Sequence, residues 1–175
     1  MRQALAATVI AAVVAYAMQL PARVPQTNQS QIRSVSGTAV HRFTTAIIHS
    51  ETPTTTGKIQ RSTDIVELSG DLKGRVLYHP LTVIDTVRGT LVNTGSEVFS
   101  GTVLGSEPVL LYDDRFRFEV NFKPGGGESG EVHLSRTLAG PKVACDLVVS
   151  GSGAKTPEGD GIVHYRGTCT FEKRS

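Results

Sequence analysis

The chain contains only two cysteines, Cys145 and Cys169, and after its first twenty residues it has no long apolar run. Two cysteines without ligand-spaced histidines make a poor zinc site. The five histidines, His41, His49, His79, His133 and His164, form no HExxH motif and no short-range cluster. They read as exposed strand residues, and no metal is expected. No G-x-S-x-G occurs, and spacing suggests no Ser/His/Asp grouping, so the serine-nucleophile motifs are missing too. The formal net charge is only +2, with the basic residues dispersed, so no nucleic-acid partner is expected.

The N-terminus is a different case. MRQALAATVIAAVVAYA carries a charge at Arg2, an apolar run from Ala4 to Val14, and the small-x-small triplet Ala15-Tyr16-Ala17. This is the layout of a signal peptide spanning residues 1–17. A second cut after Ala22 would put Leu20 where a small residue is preferred. A retained anchor is the competing reading, but the run from Ala4 to Leu20 falls short of the ~20 residues of a spanning helix. Residues 18–34 are polar and contain two prolines, as in a flexible tether. Residues 35–175 have the size of one domain. The expectation is a secreted or periplasmic protein with no membrane contact after cleavage.

No stretch of this domain places apolar residues at helical spacing, whereas period-two alternation recurs. In RFRFEVNF, Phe116, Phe118, Val120 and Phe122 share one face. EVHLSRTL follows KPGGGESG, and a turn at the glycines sets Phe122 opposite Val132 and Val120 opposite Leu134. YDDR, with Asp113 and Asp114, reads as a turn between two strands. STDIVELSGDLKGRVLYHPLTVID is either one bent strand or two strands joined at SGDLKG. Seven or eight strands result, in an antiparallel barrel or sandwich. Strand-interior glycines such as Gly101 and Gly167 favour the barrel.

The cysteines bracket CDLVVSGSGAKTPEGDGIVHYRGTC. Pairing Cys145 directly with Cys169 centres the turn at Pro157, and sets Val143 against Phe171, Leu147 against Gly167, and Val149 against Tyr165. The odd positions are then apolar or small, and directly opposed cysteines lie within disulfide reach. An exported chain favours that bond over free thiols. A strand rather than a helix follows the glycines, which argues against phosphate binding there.

SGDLKG before a tyrosine-containing strand, with the closing hairpin VVSGSG…GDGIVHYRGTCTF, resembles the allene oxide cyclase-like barrels, a superfamily that includes the dirigent proteins. The resemblance covers roughly Thr63 to Phe171. It implies an all-β fold, a single antiparallel up-and-down β-barrel of about eight strands with an apolar lumen, needing no metal or organic cofactor. It also implies a possible homo-oligomer, since dirigent-like relatives often associate.

Polar residues on apolar faces supply the candidate site. Arg136 is in phase with Val132, Leu134 and Leu138, and is expected inside the barrel opposite Phe118. Asp64 is in phase with Val66 and Leu68. An unpaired inward charge costs several kcal/mol, so such residues either reach water at strand ends or form a site. In the second case Arg136 anchors a ligand's polar head, Asp64 is its resting partner, Phe118 contacts the ligand, and Tyr78 and Tyr165 offer hydroxyls in an apolar pocket. Three functions remain open. The first is a barrel binding a small apolar ligand. The second is a cofactor-free cyclase or isomerase acting on an apolar or fatty-acid-derived substrate. The third is a filled barrel that meets a protein partner.

Overall fold

A computed structural model describes residues 30–172. The segment expected to be a signal peptide, residues 1–17, and most of the expected tether lie outside the described residues. Ten strands form the fold: β1 Gln31–His41, β2 Ile47–Pro53, β3 Gly57–Gly70, β4 Leu72–Asp85, β5 Thr90–Val103, β6 Val109–Asn121, β7 Glu128–Leu134, β8 Arg136–Ala139, β9 Val143–Gly151 and β10 Gly161–Phe171. Among the described residues there is no α-helix, and one 3-10 turn, Phe43–Thr45, separates β1 from β2. β1 begins at Gln31, so residues 31–34, expected as tether, are already paired with Phe171 to Thr168 of β10.

All pairings are antiparallel, and from β2 to β7 and from β9 to β10 the spatial neighbours are consecutive along the chain, with β9 set beside β7. β10 pairs with β1, and β1 pairs back to β3, which closes the sheet. β2 continues along β3 where β1 leaves off, and β8 continues along β6 beyond β7. The ten strands therefore make an eight-stranded closed barrel. Closure demands strong coiling. At Gly101 and Gly167 an added Cβ would stand 2.1 and 2.0 Å from a carbonyl oxygen of the adjacent strand, which explains why neither carries a side chain.

The closing hairpin has the register expected from its cysteines. Cys145 faces Cys169, Leu147 faces Gly167, Val149 faces Tyr165 and Val143 faces Phe171. The two sulfurs are bonded, and both residues are buried, at 1% and 0% exposure. The glycine-rich segment between them is a structured loop, with Thr156 N donating to Asp160 O and Ile162 N to Ala154 O, both at 2.8 Å. Likewise SGDLKG joins two separate strands, β3 and β4.

Three expectations fail around β6. YDDR is not a turn, because β6 runs unbroken through it. Inward-facing positions switch there from Val109, Leu111 and Asp113 to Phe116 and Phe118, and the pairing with β5 shifts register between Gly95 and Glu97. The Asp113 carboxylate makes this bulge tolerable. One oxygen accepts from Arg115 N and the other from His133 N, each at 2.6 Å, so two backbone donors that the irregular ladder leaves over are satisfied. The β6–β7 register also differs: Phe118 faces Gly130 and Val120 faces Glu128. The shift is by an even number of residues, so apolar faces coincide in either register. The Phe118 ring helps select between them, since any Cβ at position 130 would meet it at 2.7 Å. Phe122 falls outside the barrel, exposed.

The third failure is Arg136. Ser135 interrupts the stave between β7 and β8, and the alternation does not carry across it. Arg136 pairs with Tyr112 rather than Phe118, on the outer wall, with its guanidinium 4.5 Å from the Tyr112 ring centre.

The barrel is filled at one end only. Leu72, Phe99, Val103, Leu111, Leu134 and the disulfide pack without exposed surface at the end where the β3–β4 turn lies. Tyr165 secures that turn. Its hydroxyl accepts from Leu72 N at 2.8 Å and lies 3.0 Å from Ser69 O.

Candidate functional site

Above the packed floor the lumen opens into a cavity with about 90 Å³ of room, lined almost wholly by apolar side chains. Val76, Leu134, Leu147 and Tyr165 form its lower wall, and Phe116, Phe118, Val149 and Val163 its upper wall. The space suits a slender molecule. Its polar groups gather toward the open end, where alternation along five strands brings His41, Asp64, Tyr78, Glu97 and Glu128 inward.

Asp64, Tyr78, Glu97 and Asp113 are successive cross-strand partners on β3 to β6. His41 Nε2 lies 2.8 Å from the Tyr78 hydroxyl and 3.1 Å from Asp64 Oδ2. Burial works against ionising Asp64, but the hydrogen bond and charge of His41 outweigh it, so its pKa is lowered. Burial, then the Asp64 charge, pushes the Tyr78 phenol well up, keeping it protonated.

Glu97 is the least compensated of these groups. It is 4% exposed, lines the cavity, and its Oε1 has no hydrogen-bond partner. Burial, reinforced by the neighbouring Asp113, raises its pKa to about 8. It is thus a carboxylic acid that keeps its proton at neutral pH, able to donate a hydrogen bond or a proton to a molecule in the lumen. Burial also raises the pKa of Glu128, against the opposing influence of His41 and Lys155.

The 3-10 turn forms part of the mouth. Phe43 is half exposed, lines the cavity, and stacks on His41 with ring centres 4.0 Å apart. Its turn is tied to the β9–β10 loop by Asp160, which accepts from Thr44 N, Thr44 Oγ1 and Arg42 Nη1, each at 3.1 Å. Arg42 also donates to Glu67 on β3. The glycine-rich loop therefore supports the rim.

Of the residues expected to form a site, Tyr78 and Phe118 line the cavity, and Asp64 stands behind His41. Tyr165 lines it with its ring, but its hydroxyl is committed to the β3–β4 turn. Arg136 is absent from the lining and borders an outer groove with Lys142 and Glu172. His41, expected on the exterior, is buried. Glu97 and Glu128 were overlooked. Alternation offered the signal for all three: His41 follows Val35 and Ala39 in phase, Glu97 precedes Phe99 and Val103, and Glu128 precedes Val132 and Leu134. Among the described residues no three His, Cys, Asp or Glu side chains form a group that could hold a metal, and no helix is long and apolar enough to cross a membrane.

No family model matches this chain, and no curated protein or solved structure matches it either.

Proposed function

We propose that this protein is an exported barrel that binds a small, slender, mainly apolar molecule in the open half of its lumen without a cofactor. The observation that carries this reading is the apolar cavity itself, enclosed by the barrel wall above a packed floor, with its few polar groups converging near the mouth. Apolar walls with a few converging polar groups are the usual lining of a small-molecule site, and about 90 Å³ of room restricts the ligand to a narrow one. The buried disulfide supports assembly in an oxidising compartment, either secreted or periplasmic. The closed, eight-stranded antiparallel barrel is the architecture that the allene oxide cyclase-like reading calls for.

Displacement of an environment-sensitive apolar fluorophore tests the binding. Val149 lines the cavity, so Val149→Phe is expected to abolish fluorophore uptake while the folded barrel persists, at an overpacking cost of about 1–3 kcal/mol. Equal uptake by both proteins would place the fluorophore elsewhere and remove the reading.

Glu97 favours a second reading, a cofactor-free isomerase or cyclase. A buried acid protonated at neutral pH, cross-strand from Tyr78 and beside the cavity, is equipped to protonate or polarise a substrate held against the wall.

A further inference from the structure

The cavity lining has a one-sided charge. It includes two carboxyl side chains, Glu97 and Glu128, but no lysine and no arginine. Asp64 lies immediately behind its His41, and Asp113 beyond Glu97. A ligand ending in a carboxylate would meet no lysine or arginine, would find the one imidazole, His41, already held by Asp64 and Tyr78, and would face acids on several sides. The opposite charge is well received. Glu97 Oε1 is a buried acceptor without a donor, and three aromatic residues, Phe43, Tyr78 and Phe116, line the same space, the residue type that recognises cations. Below this level the lower wall is wholly hydrocarbon apart from the committed Tyr165 hydroxyl.

We infer that the lumen takes an amphiphilic primary or secondary amine, its apolar tail on the floor and its ammonium group donating to Glu97 beside Tyr78. The inference rests on the ligand-binding reading above and narrows it to a head-group chemistry. A quaternary ammonium has no N–H with which to reach Glu97 Oε1, so the head group is a primary or secondary amine. Proton balance adds a signature. The groups facing Glu97 are Tyr78 from β4 and Asp113 from β6, with His41, Asp64 and Glu128 bordering the same end of the cavity. Glu97 holds its proton near neutrality, so an arriving ammonium ion displaces that proton to solvent, and each binding event at pH 7 releases about one proton.

Isothermal titration of the oxidised protein with octylamine, 1-octanol and octanoate, which share one tail, separates the claims. The expected result is octylamine binding at least about tenfold tighter than octanol, octanoate binding weakest, and an octylamine enthalpy that varies with the buffer's ionisation enthalpy. Glu97→Gln, a near-isosteric neutral change, is expected to erase the amine preference and the proton release, so that octylamine binds no tighter than 1-octanol; a cooperative urea unfolding transition shows that the variant is folded. Equal affinity for the three probes, tighter octanoate, or an unaltered amine preference in Glu97→Gln overturns the head-group inference and leaves lumen binding standing. Binding of none of the three overturns both.

Discussion

Glu97 concentrates the tension in this molecule at the scale of single residues. A carboxyl at 4% exposure beside a second carboxyl survives in a core only by keeping its proton. The consequence for stability has a definite sign. The pKa is about 8 in the folded protein and near 4.3 for an unperturbed glutamate. Between those values the unfolded chain loses the proton and the folded chain keeps it, so stability falls as pH rises through that window and levels off above pH 8. At about 1.4 kcal/mol per pKa unit the loss amounts to a few kcal/mol. Chemical denaturation at pH 5, 7 and 8.5 is expected to show this decline in the wild type and a much shallower one in Glu97→Gln; parallel profiles would contradict the assignment. Asp64 acts in the opposite sense. Its lowered pKa contributes stability above the ordinary aspartate range, and that stability is lost as pH falls through the folded value.

At the scale of elements, the β9–β10 hairpin and the region around β6 mark what a sequence can and cannot reveal. The hairpin was legible because two cysteines name a single pair of opposed residues, and alternation then fixes every other pair. Its disulfide closes a loop of about 25 residues, so replacing both cysteines by alanine is expected to lower unfolding free energy by roughly 3 kcal/mol. Urea titration of the double variant against wild type measures this directly, and an unchanged midpoint would show that the paired strands hold without the bond. Around β6 no such marker exists. Alternation is lost wherever a strand gains a residue, and two breaks, at Asp114–Arg115 and at Ser135, each reverse which side chains face inward. Arg136 was assigned to the lumen by carrying the phase of β7 past Ser135. Asp113 looked like turn chemistry because aspartate satisfies backbone donors in turns and bulges alike. The even register shift at Phe118–Gly130 was invisible to apolar matching, and only the space a phenyl ring occupies distinguishes the two pairings.

On the scale of the whole molecule, the barrel divides into a packed half and an open half. The division follows from where large apolar residues and glycines sit along each stave: leucines, valines and the cystine toward the β3–β4 turn, polar residues toward the β9–β10 loop. Strand content could be read from periodicity and turn residues, and the preference for a barrel over a sandwich from strand-interior glycines such as Gly101 and Gly167. The cavity could not, because free volume depends on how eight staves meet, and no single strand records that. The polar character of the mouth lay partly in view, in Asp64, and partly in the readable phases of His41, Glu97 and Glu128. The central claim is that the open half holds a small molecule. Native mass spectrometry of the oxidised protein, as recovered from cells and then offered octylamine, 1-octanol and octanoate in turn, tests it most directly. The account predicts a single bound small molecule per chain that is lost in Val149→Phe. Bare protein both before and after that exposure would contradict it.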